Sequence, residues 1–264
     1  MGWISRLYAR EEVSEESAHR FETLFLSPVD SQAAEAMRVM LDPAAAMAFT
    51  GTQKIMWARY MNSLLARMPE DIAKLKAHAP TEWVGSIRGL REKYLAHREA
   101  TDPPTLDDYL AAPTGTFMSD VPFIVAEVIL GHERLQQVMA NMHWAVLMTD
   151  EADHELLTSD RPLVHTQSLN ARDSHLMLPI GPRRLFAAAH EREFINYLQS
   201  WGINALVKRV NEYVVGSADR YVFGTDDRQL RFVQNRMSTD RGESLVDRLH
   251  RKRAQLRPPA AGAS

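Results

Sequence analysis

The stretch "HWAVLMTDEADHELLTSDRPLVHT", residues 143–166, decides how this chain is read. Before it, apolar residues recur at helical spacing. From His143 onward, short apolar runs alternate with turn residues, which is the signature of strands. "HWAVLM" and "LLTS" read as two strands joined by the acidic turn "TDEADHE". A hydroxyl pair, a carboxylate, a guanidinium and a proline then interrupt the apolar run at Thr158, Ser159, Asp160, Arg161 and Pro162. Pro162 has no N–H to give to a ladder, and it biases Arg161 toward an extended backbone. Asp160 can fold its carboxylate onto nearby amides, as in an Asx-turn. "TSDRP" is therefore sufficient as a strand-to-strand corner. The same geometry suits a site, because a carboxylate fixed at a strand end can bind a cation, act as a base or orient a histidine. Arg161 beside it can pair with an anionic ligand.

Toward the C-terminus, "RPLVHT", "SHLMLPIG" and "RLFAAAH" read as further strands, and their short connections favour antiparallel pairing. A helix over 192–210 follows, with Phe194, Ile195, Leu198, Leu206 and Val210 near one face. "EYVVGS" reads as a last strand. "DDRQLRFVQNRM" reads as a short helix with Asp226 and Asp227 at its positive end. Residues 238–264 read as a mobile polar tail, and 248–257 within it form the one basic cluster, "RLHRKRAQLR".

Toward the N-terminus the chain reads as helical. One helix covers 14–27 behind Ser14, and a second runs from Asp30 to Leu41 after a break at Pro28. Asp42-Pro43 opens a third. Its sequence, "AAAMAFTGTQKIMWARYMNSLLARMP", is apolar around most of its circumference, as in a helix buried at the centre of a domain. "TEWVGSIRGLREKYLAHRE" reads as another helix behind Thr81. The Pro-rich linker "ATDPPTLDDYLAAPTGTFMSDVP" holds one small helix capped by Thr105 and Asp108, and a helix over 121–140 follows it. The fold class is thus α+β. A mostly helical region, 1–140, packs on a small, mostly antiparallel sheet in a strand-rich region, 141–237, whose covering helix closes one face. The two regions are expected to form one folded unit.

Bulk composition narrows the function classes. With 264 residues and 45% hydrophobic content, the chain can bury one large core. The formal charge of −3 gives no global attraction to nucleic acid, which is not indicated apart from the cluster at 248–257. The absence of cysteine excludes disulfides, thiolate metal sites and cysteine nucleophiles, and fits a reducing cytoplasm. "MGWISRLYAREEV" does not read as a secretory leader, and no apolar run approaches the roughly 20 residues of a membrane helix. A cytoplasmic protein without a membrane partner is expected.

Other candidates are sparser. His143, His154, His165 and His175 lie in the strand-rich section, but no His-x-His or His-Glu-x-x-His pair is present. No metal or cofactor is assigned. The acidic turn lacks the glycine and spacing of a calcium loop and reads as a solvated hairpin turn. Asn204 reads as a buried polar residue in the 192–210 helix, bonded to a loop carbonyl that could belong to the Asp160 corner. Gly202 beside it suggests close packing. There is no phosphate loop, nucleophile elbow or dinucleotide fingerprint.

The order of segments also resembles a known family. "HWAVLM", an acidic turn, "LLTSDRPL", "LMLPIGP", a helix with Ile203-Asn204, then "YVVGS" is similar to the uncharacterised, mainly bacterial domain of unknown function 4238 family. The matching residues are Thr158, Ser159, Asp160 and Pro162, then the turn-like Pro179 to Pro182, then Asn204, with Arg67 to Asp71 in the helical region. Gly181 stands where serine is usual. The His-x-Val-Pro segment with which members commonly open is not found, which implies a divergent or truncated member. The resemblance implies a fold type and no established activity. Two functional readings follow. In the first the protein is a non-catalytic intracellular binding or regulatory module, with Ser159, Asp160, Arg161 and Asn204 as the candidate binding or corner residues. In the alternative it is a hydrolase or phosphodiesterase-like enzyme centred on Asp160, with Arg161 and His165 assisting.

Overall fold

The computed structural model describes residues 26–42, 49–66, 90–98, 100, 102–111, 132–166, 169 and 171–240. The expected helix over 14–27 (apart from its last two residues), the Arg67 to Asp71 segment, the Thr81 cap, residues 121–131 and the basic cluster at 248–257 lie outside these residues.

Helix α1 (Ser27–Leu41) starts earlier than expected. Pro28 sits in its first turn instead of breaking the chain, because a missing N–H costs nothing where no intrahelical acceptor exists. Helix α2 (Gly51–Ala66) opens with a reciprocal cap: Gln53 N–H donates to Thr50 Oγ1 at 3.2 Å, and Thr50 N–H donates to Gln53 Oε1 at 2.9 Å. Helices α3 (Leu90–His97) and α4 (Leu106–Ala111) follow. The expected Thr105–Asp108 cap is present, with Asp108 N–H donating to Thr105 Oγ1 at 3.1 Å. Helix α5 (Glu133–Ala140) begins behind His132, whose side chain accepts from Leu135 N–H, so no continuous helix runs over 121–140.

Strand β1 (His143–Met148) does not pair across the acidic turn. It pairs antiparallel with β5 (Arg184–Ala189), which pairs with β4 (His175–Gly181), which pairs with β3 (Val164–His165). The four-stranded sheet has the order β1-β5-β4-β3. Strand β2 (Thr158–Ser159) leaves this sheet and pairs with β6 (Val222–Phe223) in a separate two-stranded ribbon. The expected Pro179 to Pro182 turn is mostly strand: β4 runs to Gly181, and Pro182-Arg183 form the two-residue tip before β5. Pro179 lies at a register shift in β4, where a missing N–H is tolerated.

Alternation along the strands supplies two cores. Leu176, Leu178, Ile180, Phe186 and Ala188 face α1, α2 and α5, with Trp57, Met61 and Met139 among the buried contacts. Met177, Leu185, Ala187 and Ala189 face the opposite side, against Ile195, Leu198, Leu206, Val207, Val210 and Val214. Phe186 anchors the first core, edge-on to Trp57 at 5.6 Å and to Trp144 at 5.2 Å between ring centroids. Both faces of the sheet are covered, which explains why β4 and β5 read as nearly continuous apolar runs.

The covering element is two helices, not one. Helix α6 (Arg192–Ser200) ends at Trp201, and α7 (Ile203–Ser217) starts after Gly202, whose ψ of 134° is not helical. A Cβ at Gly202 would meet nothing within 4 Å, so it is an N-cap and not a site of close packing. "EYVVGS" forms the last turns of α7 instead of a strand, with Val214 and Val215 fully buried. Helix α8 (Leu230–Arg236) matches the expected short helix. Asp226 does not join it. Its carboxylate accepts from Arg228 N–H at 3.0 Å and from Arg228 Nε, and these bonds, the backbone one first, lower its pKa. Residues 238–240, expected to begin the tail, are tied to the end of α7: Asp240 N–H donates to Gly216 O and Ser238 Oγ to Ala218 O. Among the described residues no helix is long and apolar enough to cross a membrane.

Candidate functional site

The corner that interrupts the strand pattern is built from the β2–β6 ribbon and the loop after α7. Ser159 pairs with Val222, and Asp160 N–H donates to Tyr221 O at 3.1 Å. This places the Asp160 side chain under the loop that leaves α7. Oδ1 accepts from Asp219 N–H at 2.9 Å, and Oδ2 accepts from Arg220 N–H at 2.7 Å and Tyr221 N–H at 3.2 Å. Three backbone donors converge on one carboxylate and fix its orientation. The expected Asx-turn is thus replaced by a long-range cap on amides 59 to 61 residues downstream. It is Ser159 that makes the local turn, its Oγ accepting from Arg161 N–H at 3.1 Å. Arg161 is buried, 8% exposed, and its carbonyl accepts from Ser217 Oγ at 3.3 Å.

Histidines do not gather at this corner. His165 lies on β3 opposite Leu176, with Nδ1 2.8 Å from Thr166 O. His175 stacks on Phe194 at 4.1 Å, on the α6 and α7 side of the sheet, and His143 shares the row of Ala189 on the same side. His154 sits in the acidic turn. Among the described residues, the Asp160 carboxylate accepts its hydrogen bonds from the 219–221 backbone and bonds to no histidine or second acid. Among the described residues no group of three or more His, Asp or Glu could hold a metal ion.

Asn204 is exposed, and its partner is not the Asp160 corner. Its Oδ1 accepts from Asp153 N–H at 2.8 Å, and its Nδ2 donates to Asp153 Oδ2 at 2.7 Å. The buried asparagine of α7 is Asn211, 1% exposed and not anticipated. Its Oδ1 accepts from Leu157 N–H at 2.8 Å, while Nδ2 donates to Glu155 O at 2.8 Å and Gln229 Oε1 at 3.1 Å. The signal for it was present: residues 204 and 211 lie two helical turns apart on one face of α7.

The acidic turn is therefore not a solvated hairpin. Arg183, at the tip between β4 and β5, donates through Nη1 to the carbonyls of Ala152 at 2.7 Å, His154 at 3.2 Å and Thr149 at 3.3 Å. Pro182 O accepts from Leu156 N–H at 2.8 Å. Three of the turn's acids have partners: Asp150 on Arg184, Asp153 on Asn204, and Glu155 on Arg183 and Thr225. Segment 149–161 thus runs beside α7 and is tied to it at Asn204, Asn211 and Ser217, ending at the Asp160 cap.

Chemically, this arrangement fixes backbone. The Asp160 carboxylate is bonded to three backbone amides, and the polar side chains of this segment meet amides and carbonyls that lack a regular ladder. No curated protein and no solved structure matches the chain. Residues 1–228 match the family described as "Protein of unknown function (DUF4238)", and the chain belongs to that family.

Proposed function

We propose that this protein acts by recognition without catalysis, as a binding or regulatory module of the bacterial cytoplasm. The observation that supports this reading is the engagement of Asp160 by three backbone amides. A general base or nucleophile needs a lone pair directed at a substrate and a partner group within reach. Asp160 has donors on both oxygens and, among the described residues, no histidine or acid bonded to it. Ser159 and Arg161 then serve the architecture of the corner, Asn204 holds the acidic turn through Asp153, and recognition belongs to another surface. The cysteine-free sequence is in keeping with a reducing compartment.

The test compares the wild-type protein with Asp160→Asn, using a phosphodiester and a carboxylic ester chromogenic substrate. Neither protein is expected to exceed background hydrolysis, and Asp160→Asn is expected to lose about 2–4 kcal/mol of stability, since bonds to a charged acceptor contribute roughly 1.5–3 kcal/mol each and are only partly replaced. Turnover by the wild type that falls a hundredfold in a fully folded Asp160→Asn would establish the hydrolase reading instead.

A further inference from the structure

A groove of about 370 Å³ opens at the β1 edge of the sheet, away from the Asp160 corner. Its walls come from both helical layers. Phe49 and Lys54, from the α2 side, line one wall; Arg192, Asn196 and Gln199, on one face of α6, line the other. Its floor is Met142 and the start of β1, from His143 to Ala145. The groove therefore straddles the edge of the sheet.

Two independent features of this groove point to the same occupant. The first is backbone. β1 is an end strand with β5 as its neighbour, and among the described residues no strand pairs with its outer edge. Its six residues, "HWAVLM", hold none of the lysines, prolines or bulges that usually guard such an edge. The second is charge. Lys54, His143 and Arg192 line the groove, and among the described residues no aspartate or glutamate does. Lys54 lies over the Trp144 ring at 5.2 Å, and neither Lys54 nor Arg192 has a carboxylate partner among the described residues.

We propose that this groove takes an extended acidic peptide segment, which adds as a strand to the outer edge of β1 and sets a carboxylate between Lys54 and Arg192. Main-chain bonds to the edge supply affinity, and the cations select the acidic side chain. Asn196 and Gln199 meet the polar groups of the incoming backbone. A floor recessed between two helical walls suits a single strand better than the edge of a second copy, which carries its own α2 and α6. This inference rests on the reading of the protein as a binding module and names its ligand class.

The test selects from a display library of random octapeptides on the immobilised full chain, then measures the enriched peptide by fluorescence anisotropy. The expected pool is rich in Asp and Glu alternating with apolar residues. The charge-reversed variant Lys54→Glu/Arg192→Glu should weaken binding at least tenfold, as should N-methylation of alternate peptide amides, and added salt should weaken it further. Both substitutions are at solvent-accessible positions, and circular dichroism checks the fold. A pool without acidic bias, no enrichment over bare matrix, equal binding by the variant or by the N-methylated peptide, or a stable dimer by light scattering would each overturn the proposal. None of these outcomes bears on Asp160, whose hydrolysis assay decides the binding reading separately.

Discussion

At the scale of single residues, the polar groups of segment 149–161 decide the local structure. This segment has little regular ladder of its own, so its amides and carbonyls need side-chain partners. Asn211 satisfies two of them in a buried position, whereas Asn204 satisfies Asp153 at the surface. Removing them should therefore cost different amounts. Asn211→Ala is expected to lose about 2–3 kcal/mol, the cost of leaving buried polar groups unpaired, and Asn204→Ala less than about 1 kcal/mol. Urea denaturation of both variants measures the difference, and equal losses would contradict the distinction. The sequence made Asp160 visible as a corner former, because Ser-Asp-x-Pro is a local signal. Its partners were not visible, since Asp219, Arg220 and Tyr221 contribute only backbone amides, which carry no side-chain signature. Asn204 drew attention by its place in a family-like pattern, while Asn211, in the same stripe, did more of the buried bonding.

At the scale of elements, β4 and β5 were legible because their apolar runs are bounded by turn residues and both faces are buried. α7 was misread at both ends. Phe194 to Val210 keeps a helical apolar period through Gly202, so periodicity alone joined α6 to α7. At the other end, Val214-Val215 carries a β preference that packing overrides, Val214 lying in the core beneath the sheet. The start of α7 suggests a stabilising change. Gly202 has an extended backbone, no side chain to cap the first amides, and open space where a Cβ would point. Gly202→Ser should add about 0.5 kcal/mol by supplying an N-cap oxygen. A thermal melt that shifts downward would show that the open backbone at this junction is needed for another reason.

At the scale of the whole molecule, one antiparallel sheet serves two cores. Leu176 and Met177, adjacent on β4, belong to opposite cores, as do Ala187 and Ala188 on β5. Neither helical layer can leave without exposing the sheet to water. Unfolding followed by tryptophan fluorescence, which samples Trp57 and Trp144 around Phe186, should coincide with unfolding followed by far-ultraviolet circular dichroism. Separated transitions would mean that the helical front section and the strand-rich section fold independently. The α+β class was legible at this scale, because helical periodicity gives way to strand-like runs at His143. The strand order was not, since β1 skips its neighbour in sequence to pair with β5, and β2 leaves the sheet for β6.

The central claim is that the Asp160 carboxylate holds the loop after α7, and amide hydrogen exchange reads this directly. In the wild type the amides of Asp219, Arg220 and Tyr221 should exchange at least tenfold more slowly than in an unstructured peptide, as hydrogen-bonded amides do. In Asp160→Ala these three should lose that protection while Leu185 and Phe186 in β5 keep theirs. Exchange of the three amides at the unprotected rate in the wild type, or protection unchanged by Asp160→Ala, would contradict the account.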